Sequence, residues 1–155
     1  MTRCEVTVLY EGRSEVGAPP AAVWPVLLDV NQLAALLPGV QQVTQVNDTT
    51  FEGVIVAAVG PISGRFTLRG QIVEAVEPSL LRVHVAGTDS VTKSILTSDV
   101  RLALTPVGAD STDLAYRSQV DVKGRMALLG DLVLLATATV MVDEFIRRLK
   151  ARVEA

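Results

Sequence analysis

His84 is the only histidine in the chain and the first residue to test for chemistry. An imidazole works as a general base when a nucleophile is within reach and an acid orients it. Neither lies near it in sequence. His84 alternates with Leu81, Val83 and Val85, so it falls beside Arg82 on the outer side of a strand and reads as a surface histidine. Cys4 sits on the apolar side of another strand, where a small packed residue is the simpler reading than a nucleophile. One histidine and one cysteine make no transition-metal site without several carboxylates, and a single cysteine excludes an internal disulfide. Gly60-Pro61-Ile62-Ser63-Gly64 is glycine-rich but lacks the lysine and following helix of a phosphate loop, so it reads as backbone geometry. Asp131 interrupts an apolar run. Its plain reading is a first-turn acid favoured by a helix dipole, and its sharper reading a polar group at a cavity mouth. No cofactor is implied.

The elements that would position a site begin at the C-terminal end. Gly124 to Ala155 reads as one long helix, with Leu128, Leu132, Leu135, Thr139, Val142, Ile146, Leu149 and Val153 forming one stripe at steps of four and three. The second half is amphipathic, with Asp143–Arg147 and Glu144–Arg148 as i,i+4 pairs. The first half carries Leu129, Val133, Ala136 and Val140 on its other side, which predicts cover nearly all round. The run Met126 to Val142 holds one charge, is diluted by Gly130, Thr137 and Thr139, and falls short of the roughly 20 apolar residues of a membrane span. It is expected to be a buried core helix.

Upstream the texture is strands. Arg3 to Val16 alternates, with Val6, Val8 and Tyr10 on one face. Gly17 to Pro20 breaks it, and a helix over Ala21 to Asp29 follows, with Pro25 demanding an early start or a bend. Asn31 is placed to cap a second short helix, Gln32 to Leu37. Six strands are then expected: Val40–Val46, Thr50–Val59, Ile62–Val76, Leu80–Gly87, Ile95–Thr105 and Thr112–Lys123, with Thr88 to Ser94 a polar loop. In the third of these, Gly64 and Gly70 share the apolar side with Phe66, Leu68, Ile72 and Val76. Short turns between strands predict antiparallel neighbours.

At 155 residues the chain is read as a single domain over 1–155. Apolar residues are 49% and aromatics 4%, so the core is aliphatic, and a net charge of −3 with no basic block argues against nucleic acid. The N-terminus carries Arg3, Glu5 and Glu11 with no apolar h-region, which predicts no secretory signal and a cytoplasmic protein.

The layout resembles the helix-grip fold of the START and Bet v 1-like superfamily, and within it the CoxG family of carbon monoxide dehydrogenase subunits. The residues that carry this are Val23-Trp24, Asp29, Leu37-Pro38-Gly39-Val40, Val59 to Phe66 with Gly70, and Gly124 to Gly130. Thr88 to Ser94 departs from the glycine- and alanine-rich segment usual there. The resemblance implies an α+β fold: a seven-stranded curved antiparallel sheet around a long C-terminal helix, with two short helices after the first strand. It also implies an accessory, non-catalytic role beside a carbon monoxide dehydrogenase-type molybdenum hydroxylase, with a lipophilic quinone or lipid as ligand. A peripheral membrane contact, without a transmembrane segment, goes with it.

The residues themselves predict an apolar cavity between the sheet and the first half of the helix, suited to a hydrophobic molecule. Its strand side is expected at Phe66, Leu68, Leu102, Leu104, Tyr116 and Val120, and its helix side at Leu129, Leu132, Val133 and Ala136. Gly64, Gly70, Ala136 and Ala138 would leave the gap. An enzyme on the same fold, a cyclase or hydrolase, stays open and would need polar groups inside, for which alternation offers Tyr116, Ser118 and Glu74. A filled-core interaction domain is the third reading.

Overall fold

A computed structural model describes residues 5–59 and 61–154, so the reading of Cys4 lies outside the described residues. The element order is β1 (Glu5–Val16), α1 (Pro20–Leu28), α2 (Val30–Leu36), β2 (Val40–Gln45), β3 (Thr50–Val59), β4 (Ile62–Val76), β5 (Leu80–Asp89), β6 (Ser94–Val107), β7 (Ser111–Lys123), a short 3₁₀ turn (Arg125–Leu129) and α3 (Asp131–Val153). The strands form one antiparallel seven-stranded sheet in the order β1-β7-β6-β5-β4-β3-β2. Hairpins link β2 through β7 in sequence, and β1 closes on β7 from Glu5↔Lys123 to Val16↔Thr112. The expected sheet around a C-terminal helix is therefore present.

Local details differ from the sequence reading for identifiable reasons. Asp29, not Asn31, caps α2: its carboxylate accepts from the Asn31 and Gln32 amides at 3.0 and 3.2 Å. Those hydrogen bonds, the Gln32 side chain's first, hold the Asp29 carboxyl below its ordinary range. Pro25 sits inside α1, which starts early, at Pro20. In β4 a bulge between Ile72 and Glu74 reverses the alternation. Glu74 therefore points outward, 3.7 Å from Arg82, and Val76 is half exposed. This removes Glu74 from the interior and Val76 from the apolar face.

The predicted loop Thr88 to Ser94 is shorter than expected: Thr88 and Asp89 belong to β5 and Ser94 to β6, and Ser90 to Lys93 form a tight turn in which Lys93 has φ of 56°. Three of its polar residues, Asp89, Thr92 and Ser94, are buried and bonded to one another. Thr92 Oγ1 donates to Asp89 Oδ2 at 2.8 Å, and Ser94 Oγ accepts the Met126 amide at 3.0 Å. Burial of these groups without partners would be costly, so the knot fixes the 3₁₀ turn against the sheet. Gly124 must be glycine here: its φ is 97°, and a Cβ would meet the Lys93 carbonyl oxygen.

The long helix is shorter than expected. Gly130, at φ of 86°, separates the 3₁₀ turn from α3. The predicted stripe also fails in its first half: Leu128, Leu132 and Leu135 are 70%, 77% and 37% exposed, and Val140, expected to be covered on the other side, is 68% exposed. The inward row is instead Leu134, Ala138, Met141, Phe145 and Leu149, with Ile146 and Val142 beside it. Only one side of the first half is covered. Further on, Arg147 pairs with Glu144 rather than Asp143, and Arg148 bonds the same carboxylate at 2.8 Å. These hydrogen bonds, Arg147's first, hold the Glu144 carboxyl down at about 2. Asp131 is an exposed residue in the first turn of α3, in keeping with the plain reading.

Two buried clusters hold the sheet and helices together. One gathers Val23, Trp24 and Leu27 of α1 with Leu36, Leu81, Leu104, Leu114, Ile146 and Leu149. The other gathers Val8, Val59, Phe66, Val122, Met126, Ala127 and Leu134. Leu134 and Ile146 are both on α3, about 18 Å apart at 1.5 Å per residue.

Candidate functional site

The interval between the two clusters is hollow. Along α3 it is bounded by Thr137, Ala138, Met141, Val142 and Phe145, none of which is fully buried. On the sheet it is bounded by Leu68, Ile72, Val83, Val85, Val100 and Val120, aliphatic residues on the gripped face that are only half-buried. Apolar side chains enclosed by a fold normally lose their solvent exposure to neighbours. Here they face space instead.

The space has two lobes. A lobe of about 320 Å³ runs under α1 and α2, past Leu28, Leu33 and Leu37, to the β2–β3 hairpin at Asn47, Asp48 and Thr49. A lobe of about 240 Å³ lies toward Phe66, Leu96, Val122 and Met126. Ile55, Leu68, Val85 and Met141 border both. The exposed polar residues Gln42, Gln45, Asn47 and Asp48 cluster at the hairpin end of the larger lobe, which marks its mouth. Helix α2 beside that mouth is tied to α3 by Arg152 Nε donating to Gln32 Oε1 at 3.0 Å and Arg148 Nη1 donating to the Ala35 carbonyl at 3.3 Å.

The expected site residues divide. Leu68, Leu102 and Tyr116 border the larger lobe, and Phe66, Leu68 and Val120 the smaller. Leu104 is buried in the first cluster, not on the cavity wall. Leu129 and Val133 pack against the second cluster without reaching the cavity. Leu132 and Ala136 are exposed on the outer side of α3. The glycines do not supply the gap either. The Phe51 ring lies over Gly70, and Met126 and Phe66 lie over Gly64, so a Cβ at either would collide with them. The smallness that counts is at Ala138, on the helix wall of the smaller lobe. Sequence reading missed Met141 and Phe145, which the misplaced stripe hid, and Leu28, Leu33 and Leu37, whose approach depends on how the short helices dock.

Polar groups are few inside. The Tyr10 and Tyr116 rings stack with centroids 5.8 Å apart and planes 11° from parallel. Burial, then the neighbouring Tyr116 phenol, pushes the Tyr10 hydroxyl up to about 12, so it stays neutral at ordinary pH. Ser98 and Ser118 hydrogen-bond to each other at 2.9 Å. Ser98 was legible, since it falls in the inward phase between Leu96 and Val100.

His84 lies outside this space. Its Nδ1 is 2.9 Å from Asp99 Oδ1 on the neighbouring strand, with the side chains 44% and 74% exposed. The cross-strand acid was not visible from sequence proximity, but the outward phase was. Exposed pairs of this kind contribute little. His84→Ala is expected to change unfolding free energy by less than about 0.5 kcal/mol, measured by urea titration, and to leave ligand affinity unchanged.

Comparison with known proteins follows the same lines. The model of the CoxG family, described as a carbon monoxide dehydrogenase subunit, matches residues 12–154. No curated protein matches the chain. Among solved structures, a conserved protein from Geobacillus kaustophilus is similar with a TM-score of 0.87 at 17% identity, over 96% of this chain and 95% of that one. The ZhuI aromatase/cyclase from Streptomyces sp. R1128 gives 0.73 at 15% identity, over 96% and 94%. A START superfamily protein from Mycobacterium smegmatis gives 0.68 at 18% identity, over 94% and 97%. At these identities the structures establish the START-like fold, and the family match over residues 12–154 establishes more: the chain belongs to the CoxG family of carbon monoxide dehydrogenase subunits.

Proposed function

We propose that the chain binds a hydrophobic small molecule, quinone- or lipid-like, in the two-lobed cavity, without catalysis of its own. The observation that carries this is the hollow between two filled core clusters, walled by half-buried aliphatic side chains and opening at a polar hairpin. Burial there would supply affinity at roughly 25 cal/mol per Å² of apolar surface removed from water, before the costs of association. Membership of the CoxG family supports an accessory role beside a carbon monoxide dehydrogenase-type molybdenum hydroxylase. Among the described residues no helix is long and apolar enough to cross a membrane. Any bilayer contact made by these helices would therefore be peripheral.

An enzyme on this fold is the second reading, favoured by the Tyr10–Tyr116 pair and by the likeness to a protein named as an aromatase/cyclase. The wall gives this less support: among the described residues its one carboxylate, Asp48, is an exposed residue of the hairpin at the mouth, and the Tyr10 phenol is held neutral.

Native mass spectrometry of freshly purified protein, followed by titration with a short-chain quinone, tests the first reading. A copurifying lipophile, or saturable quinone binding without turnover, is expected. Absence of binding by every lipophile tried would return the chain to an interaction domain.

A further inference from the structure

The gripped faces of β6 and β7 are lined by Leu96, Val100, Leu102 and Leu104 and by Leu114, Tyr116, Val120 and Val122. That palisade is broken near its middle by Ser98 and Ser118, whose hydroxyls are 2.9 Å apart. Ser118 borders the larger lobe and Ser98 the smaller. Ser98 is only 7% exposed. Each serine carries one O–H hydrogen, and a bond between the two uses one of them. Among the described residues neither hydroxyl has another partner, so the pair has one hydrogen left to donate. In an apolar surrounding an unmet donor is costly, and meeting it is rewarded.

We infer that the Ser98–Ser118 pair is a hydrogen-bond donor for one acceptor oxygen, a carbonyl or ether, carried part-way along an elongated apolar ligand that occupies both lobes. This rests on the cavity reading above and adds to it a ligand chemistry: apolar at both ends, with one acceptor between. Because either serine can be the outer donor, the pair is redundant. Replacing one leaves a hydroxyl that still donates, and replacing both removes the donor.

The test compares two probes of matched length, dipentyl ketone and undecane, each competing against a bound N-phenylnaphthylamine fluorophore. Proteins are wild type, Ser98→Ala, Ser118→Ala and the double variant, with melting recorded for each. The double variant is expected to weaken the ketone about three- to tenfold and leave undecane unchanged, while each single variant stays within about twofold of wild type for both. The ketone-to-undecane ratio is the readout, because a merely structural loss would move both probes together. A double variant that shifts both equally, or neither, overturns the donor pair while leaving the cavity reading in place. A single variant carrying the whole loss overturns the shared donor. Failure of both probes to displace the fluorophore from wild type removes the cavity reading, and the subsite with it.

Discussion

Leu68→Glu is expected to abolish binding of a short-chain quinone while Leu132→Glu leaves it intact. Leu68 borders both lobes, together with Ile55, Val85 and Met141. A carboxylate there meets aliphatic walls from the sheet and from α3, and among the described residues the one cation lining the lobes, Arg117, is exposed and already paired with Glu11 at 3.9 Å. Either the charge stays and excludes an apolar ligand, or the group takes up a proton at a cost of several kcal/mol, and both outcomes oppose binding. Leu132 carries the same change on the other side of the helix, where it is 77% exposed and the added charge stays in water. The contrast is read by isothermal titration after circular dichroism has established that both variants fold. Equal binding by wild type and folded Leu68→Glu would move the site out of this cavity. Loss in Leu132→Glu would place the outer helix face in the site.

That contrast also marks where sequence reading succeeds. Strand phases are legible because one face of the sheet is gripped, so period-two alternation separates inside from outside: Phe66, Leu68, Leu102, Tyr116 and Val120 all point inward as expected. Alternation fails where the backbone slips. The bulge at Ile72/Glu74 turns Glu74 and Val76 outward, and nothing in the side-chain pattern announces it. Alternation also does not distinguish an inward residue that is packed from one that faces space. Leu104 packs in the first cluster, whereas Leu102 two residues away also borders the cavity.

The helix stripe departs from the structure for a different reason. A stripe at steps of four and three has an average period of 3.5, whereas a straight helix has 3.6 residues per turn, and the two drift apart by about 20° per heptad. Anchored at Ile146 and Leu149, the stripe is sound through Val142. Two heptads back, at Leu135 and Leu132, it has rotated off the buried face by roughly 40°. The buried row steps from Leu149 by fours to Phe145 and Met141, then reaches Ala138 and Leu134. Apolar composition on the outer side of the first half suggests a cover that the structure does not provide.

The same geometry sets the largest stability contrast in the chain. Leu149→Ala is expected to cost about 2–5 kcal/mol, and Leu132→Ala less than about 0.5 kcal/mol, although both remove the same atoms from the same helix. Leu149 is 0% exposed among residues of α1, α2 and the sheet in the first cluster, so truncation leaves a void that close packing cannot easily refill. Leu132 gives up contacts mainly with water. Ile146 is the instructive intermediate: it is 8% exposed, belongs to the same cluster, and borders the larger lobe. Ile146→Ala is expected to fall in the same range of about 2–5 kcal/mol, but its lost volume joins an existing cavity, so it should also alter ligand affinity. Leu149→Ala should not, because Leu149 is absent from the cavity wall. Urea unfolding of the three variants, with quinone titration alongside, separates the two kinds of core position. If Leu132→Ala and Leu149→Ala unfolded at the same denaturant concentration, the helix would be gripped on its other face, and the cavity wall at Ala138, Met141 and Phe145 would have to be redrawn.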